Sequence, residues 1–329
     1  MTDETVPSGT TLLPGREVPL GGVRGMSVQR WLPHRTLPTV GAWCFLDRIG
    51  PERVDMRVLP HPHTGLQTVT WPLAGEVHHR DSLGSDVLLR PGELDLMTSG
   101  PGISHSELSV GQQPLMHAVQ LWVALPAGSG TGPRFEQHRV LPVHEVPGLR
   151  ATVFVGEMAG AVSPALVHSP LLGADLVVDA GATAELALAP GFEHALLVLD
   201  GSAEVDGPGT EPTRLDRTGP GGGPLLHLGT GRSSLRLRTG DGARLLLLGG
   251  EPYADDLVMW WNFVGRSHEE VALARADWET EGQERFGTVP GHRGERIPAP
   301  PMPGVRLTPR RRAGRHLEGE HEAPAPAMS

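Results

Sequence analysis

His61-Pro62-His63-Thr64-Gly65-Leu66-Gln67-Thr68-Val69-Thr70-Trp71 and Gly100-Pro101-Gly102-Ile103-Ser104-His105-Ser106-Glu107 are the two stretches on which the reading of this chain turns. Side chains of a β-strand alternate between faces, so His61 and His63 point the same way, as do His105 and Glu107. Two such strands side by side offer three imidazoles and a carboxylate to one interior point. An isolated His-x-His pair is common in loops and half-buried strands. It is the second pair, 42 residues on and just past a glycine-rich turn, that makes the arrangement read as a metal site.

Outward from these stretches the sequence is a series of short apolar runs at 39–46, 54–59, 66–73, 85–89, 94–98 and 116–125, each bounded by Pro, Gly or Asp. That spacing predicts antiparallel strands folded into a sandwich or small barrel. Ala74-Gly75-Glu76, Asp81 to Ser85 and Arg90-Pro91-Gly92 supply the turns, proline presetting φ and glycine taking left-handed positions. Strands resume after residue 151 in similar number. Placing Gly201 on Gly75 gives an offset of 126 residues, under which His61 and His63 fall on Ala187 and Ala189, and Gln67 on Glu193. The second half therefore reads as the same unit without its metal ligands, with His194 a lone histidine of the core or surface. Ser267-His268-Glu269-Glu270 is a capping box, predicting a packing helix from about His268 to Glu281 with Val271, Ala274 and Trp278 on one face. Beyond Phe286 the chain is rich in Pro, Gly and Arg, including Arg310-Arg311-Arg312, and reads as a poorly ordered tail.

Composition narrows the function. The 329 residues include 44 Gly, 32 Pro, 6 Phe, 7 Trp and 1 Tyr, with hydrophobic content of 38%, enough for real cores punctuated by many turns. A net charge of −10 argues against nucleic acid as a direct partner. Cys44 is the single cysteine, so neither an intrachain disulfide nor a cysteine-based zinc module is available. The opening Met1-Thr2-Asp3-Glu4 lacks a secretory n-region, and no run of about 18 apolar residues offers a membrane span, which predicts a cytoplasmic protein.

Three neutral imidazoles and a carboxylate suit Fe, Mn, Co, Ni, Cu or Zn, and Fe(II) is the first choice. Four protein ligands around an ion that prefers six leave two positions for water, O₂ or a chelating substrate. Strand parity continued from His61 and His63 puts Gln67, Val69 and Trp71 on the same inward face. Gln67 is then a partner to a ligand or a substrate contact, and Trp71 a pocket wall or core residue. The adjacent His78 and His79 are expected at the surface.

The quoted stretches, with Gly75-Glu76, His79-Arg80-Asp81-Ser82, Met97-Thr98-Ser99, Gln120-Leu121-Trp122-Val123 and Gly249-Gly250-Glu251-Pro252, resemble the pirin family of the cupin superfamily, from about residue 20 to 285. The resemblance implies an all-β chain of two tandem cupin barrels (double-stranded β-helix, or jelly-roll) with a short C-terminal helix. The expected division is an N-terminal metal-binding cupin over 1–130, a C-terminal cupin without ligands over 131–285 and a tail over 286–329. Carried over by motif, the metal ligands are His61, His63, His105 and Glu107. The sequence departs from the family at Gln67, where pirins commonly have glutamate, and in the Trp260-Trp261-Asn262-Phe263 segment. The resemblance implies either of two functions. One is a quercetin 2,3-dioxygenase-type oxygenase acting on a flavonol or similar small chelating substrate, with Glu107 as base. The other is a non-enzymatic, iron-dependent redox-sensing regulator that binds a transcription factor or metabolic enzyme. A monomer is expected in either case.

Overall fold

The computed structural model describes residues 9–20, 26–208, 210–218, 222–280 and 284–309; the first eight residues and the Arg310-Arg311-Arg312 run lie outside them. Alternating apolar residues between turn-formers fold as expected into antiparallel strands. In the first half seven strands form one sheet, in the order Arg134–His138, Leu94–Thr98, Leu66–Ala74, Leu115–Ala124, Trp43–Arg53, Ser27–Leu32 and Arg16–Pro19. A four-stranded sheet faces it, ordered Arg57–His63, Ile103–Ser109, Val77–Asp81 and Asp86–Leu89. This is a jelly-roll, open at its edges rather than closed by a continuous ladder.

The second half repeats the plan. The long strand Glu193–Gly207 pairs with Ala243–Gly250 and Pro224–Gly229 near its start, and with Thr210–Asp216 and Ser234–Arg238 near its end. It thus serves in both layers and joins them into an eleven-stranded sheet. The offset of 126 residues is visible in the turns: Gly75 has φ +82° and Gly201 φ +71°, and a Cβ would meet the Leu115 carbonyl at 2.6 Å in one and the Gly242 carbonyl at 2.3 Å in the other. Glycine is required at both places because the neighbouring strand passes so close. The interior of the second jelly-roll is filled by Leu176, Leu186, Leu196, Leu226, Leu235 and Leu247, among others. His194 is fully buried there, and its ring nitrogens have no hydrogen-bond partner among the described residues.

The chain crosses the division at residue 130 in both directions. Thr11–Pro14 pairs with Pro224–Gly229 of the second jelly-roll, whereas Arg134–His138 pairs with Leu94–Thr98 of the first. The two jelly-rolls also share one core, in which Trp43, Val69 and Trp71 of the first meet Phe154, Leu197 and Leu246 of the second. Its polar groups are paired across the boundary: Trp43 Nε1–H donates to the carbonyls of Leu172 and Gly249, each at 3.1 Å.

The helix spans His268–Glu279, with Val271, Ala274 and Trp278 buried. Ser267 caps it by accepting from the Glu270 N–H, but the Glu270 carboxylate takes the N–H of Arg266 instead of closing the box on Ser267. Residues 286–309 depart from the expected loose tail. Phe286, Val289, His292 and Ala299 are buried, the Ile297 N–H donates to the Pro60 carbonyl, and the Trp278 indole donates to the Ile297 carbonyl. Proline and glycine lower hydropathy without preventing a segment from being fixed by a few deep side chains and backbone hydrogen bonds. Among the described residues no helix is long and apolar enough to cross a membrane.

Phe154 stacks on Trp71 with centroids 5.1 Å apart and meets Trp43 edge-on. Phe154→Ala is expected to cost about 3–5 kcal/mol in urea unfolding, with the first jelly-roll losing stability alongside the second. Loss confined to the second jelly-roll would contradict a shared core.

Candidate metal centre

The register of two strands brings the ligand candidates together. On the antiparallel pair Arg57–His63 and Ile103–Ser109, His105 lies opposite His61 and Ile103 opposite His63, so the three imidazoles share a face. A register shift between His105 and Glu107 bends the pair at the site. The candidate ligand nitrogens of His61, His63 and His105 lie within 4.8 Å of one another. His63 Nε2 and His105 Nε2 are 3.1 Å apart, close to the separation of about 3 Å for two imidazole nitrogens each about 2.1 Å from one ion at right angles. His61 Nδ1 is 2.9 Å from the Leu59 carbonyl; donating there leaves Nε2 with its lone pair.

Burial pushes His61 down to about 4, and drives His63 and His105 well below the ordinary imidazole range. All three are therefore neutral at pH 7, the form in which imidazole binds a metal. Burial pushes the Glu107 carboxyl the other way, upward. Its Oε1 accepts from the Thr70 hydroxyl at 2.9 Å, and Thr70 also lies 3.2 Å from Gln120 Oε1. Glu107 forms a second group with His79 and His105, again within 4.8 Å. The donor chemistry and the converging imidazoles fit a divalent transition metal.

His79 is buried, which corrects the expected surface position. It lies directly opposite Glu107, as Asp81 lies opposite His105, because odd-numbered residues of Val77–Asp81 face inward. Its ring stacks on Phe135, 4.4 Å away, from the strand that crosses over at Arg134–His138. His79 Nε2 is 3.2 Å from Asp81 Oδ2, and His79 Nδ1 is 3.5 Å from His105 Nδ1. The other Asp81 oxygen accepts from the N–H groups of Leu83 and Ser85. His78, one residue along, is more open and pairs with exposed Asp86.

Gln67 and Trp71 are not at the site, which corrects the parity argument. Gln67 Nε2 donates to Thr98 Oγ1 and to the Leu166 carbonyl of the second jelly-roll, both at 2.9 Å, and Trp71 Nε1 donates to Asp175. Glu193, the counterpart of Gln67 in the repeat, likewise turns to the boundary and accepts from the Gly41 N–H. The reason is a corner at Gly65, φ +68°, where a Cβ would meet the Val264 carbonyl at 2.2 Å. The chain changes sheet there, parity restarts, and the even-numbered Thr70 faces the metal candidates.

A cavity of about 360 Å³ opens onto the histidines and Glu107. Its walls are mainly aromatic and aliphatic: Phe45 stacks on Trp122 at 3.9 Å, and the Arg30 guanidinium lies 4.2 Å above Phe45 while pairing with Asp47 through two 2.7 Å bonds. Gln120, Asn262, Ile297 and Pro300 complete it. Asn262 follows Trp261, a non-glycine residue at φ +51° in the turn between Val258–Trp260 and Phe263–Gly265. The sequence signal for Gln120 and Trp122 was their two-residue spacing on one strand; nothing local pointed to Ile297.

A family described as Pirin matches residues 25–123, and one described as Pirin C-terminal cupin domain matches residues 173–287. The chain is 44% identical over 293 residues to a Pseudomonas aeruginosa protein provisionally named a quercetin 2,3-dioxygenase, covering 88% of this chain and 89% of that one. It is 35% identical over 288 residues to a pirin-like protein of Caulobacter vibrioides, covering 83% and 94%. A crystal structure of quercetin 2,3-dioxygenase from Acinetobacter baumannii matches with a TM-score of 0.82 at 40% identity, over 91% of this chain and 98% of that one.

His61 binds a proton less readily folded than unfolded, so its contribution to stability is complete above an unfolded value near 6.5 and is lost as pH falls toward about 4. In metal-free protein, the stability advantage of the native chain over His61→Gln should shrink by about 2 kcal/mol between pH 7 and pH 5. Chemical denaturation at the two pH values measures this, and an unchanged gap would contradict a buried neutral His61.

Proposed function

Since the chain belongs to the pirin family of the cupin superfamily, we propose that it holds one divalent metal, Fe(II) by first choice, through His61, His63, His105 and Glu107, and acts as a quercetin 2,3-dioxygenase-type oxygenase. The observation that carries this reading is the aromatic-walled cavity reaching the three imidazoles. Its volume is at the small end of small-molecule pockets. The mainly apolar wall, which includes Phe45 and Trp122, suits an aromatic substrate, and a flavonol with adjacent oxygens is such a molecule.

Bound there, the metal would supply open positions for a chelating pair of substrate oxygens and redox chemistry with O₂. The protein's own part is binding, orientation and proton transfer. Glu107 accepts the hydroxyl proton as substrate enters, its carboxyl made more basic by burial and oriented by the Thr70 hydroxyl. Gln120 stands beside Thr70 on the cavity wall, placed to hydrogen-bond a second substrate oxygen. Asn262, Ile297 and Pro300 narrow the approach for water.

The test is to load the full chain with Fe(II) without oxygen, admit quercetin and O₂, and follow the flavonol absorbance. Turnover is expected in the native protein, and a loss of at least about a hundredfold in His61→Ala, as when a metal loses a ligand or its support. A metal-replete sample that leaves quercetin unchanged would overturn the oxygenase reading.

A further inference from the structure

We infer that Asp81 and His79 are positioning residues that fix the tautomer of His105, so that its Nε2 lone pair faces the cavity; the inference rests on the metal reading above for its purpose, not for its geometry. The three groups form a line away from the site. Asp81 Oδ2 is 3.2 Å from His79 Nε2, and His79 Nδ1 is 3.5 Å from His105 Nδ1, while His105 Nε2 looks toward His63. All three side chains are at most 2% exposed, so bulk water does not compete for any link.

Proton counting sets the order. A neutral imidazole has one N–H and one lone pair, and a carboxylate only accepts. Asp81 therefore takes the Nε2–H of His79. That leaves His79 Nδ1 as an acceptor, which takes the Nδ1–H of His105 and leaves His105 Nε2 bare. The 3.1 Å contact between His63 and His105 then has His63 as donor in metal-free protein. His61 reaches the same end by donating its own Nδ1–H to the Leu59 carbonyl. Histidine ligands are commonly oriented by a partner on the second nitrogen; here the partner is another histidine, itself set by an acid.

Asp81 cannot turn over. Its Oδ1 accepts from two backbone N–H groups, Leu83 at 2.9 Å and Ser85 at 3.0 Å. In Asp81→Asn the amide oxygen must keep those bonds, which puts the NH₂ against His79. His79 then accepts at Nε2 and carries its proton on Nδ1, and His105 is left with its proton on Nε2, in the metal site. The substitution is nearly isosteric, yet it reverses every bond in the line. His79→Gln has the opposite character, because its amide can accept from His105 and donate to Asp81 in the original order.

The experiment is nitrogen-15 NMR of the histidine side chains in metal-free full-length protein at neutral pH, beside calorimetric titration with Co(II). His105 is expected as the Nδ1–H tautomer in the native chain and in His79→Gln, and as the Nε2–H tautomer in Asp81→Asn. Co(II) affinity should fall about ten- to hundredfold in Asp81→Asn and stay within about threefold of native in His79→Gln. An Nε2–H tautomer in the native chain, or an unchanged tautomer in folded Asp81→Asn, overturns the relay. If Asp81→Asn does not fold, the native tautomer and His79→Gln still decide it. A native chain that binds no Co(II) would sink the metal reading, while the NMR result would stand for or against the relay separately.

Discussion

Three imidazole nitrogens directed at one another inside a buried pocket are a demand that this protein's own hydrogen bonds meet only in part. His61 and His105 each have a partner at Nδ1, and His63 Nε2 meets His105 Nε2 at 3.1 Å, so the imidazoles converge on one point inside the pocket. Polar groups buried in that way are costly unless something binds them. The surrounding fold holds the arrangement in place: strand register sets His61 against His105 and Glu107 against His79, and the corner at Gly65 turns the next strand away.

The second jelly-roll supports the first from behind. The offset of 126 residues carries His61 and His63 onto Ala187 and Ala189, which are exposed, while leucine, valine and other alanines fill the interior of the second unit. What the second unit contributes is its face: Phe154 and Asp175 take the stacking and the indole N–H of Trp71, and the Leu166 carbonyl takes Gln67. The chain then returns, and its last described segment packs over the first unit's open end, bringing Ile297 and Pro300 to the cavity. Site and scaffold are thus drawn from all parts of the chain.

Period-2 alternation made His61 with His63 and His105 with Glu107 legible from sequence, because each pair sits within one unbroken strand. It failed for Gln67 and Trp71 because a left-handed glycine lies between them and the histidines, and counting parity through such a corner has no physical basis. The same alternation, applied afresh after Gly75, puts His79 and Asp81 inward; the adjacency of His78 and His79 already implied that one of them turned in. Nothing local signals the strand crossover at Arg134–His138 or the packing of 286–309. Both depend on which distant edge or surface is left uncovered, a property of the assembled fold.

The proposed single metal of the first jelly-roll is held by His61, His63, His105 and Glu107. Anomalous diffraction at the metal absorption edge, from crystals of the metal-loaded full chain, tests it most directly. A single peak per chain is expected at the meeting point of those four side chains, with no peak in the second jelly-roll. A peak centred on His79, His105 and Glu107 without His61 and His63, or one within the second jelly-roll, would contradict it.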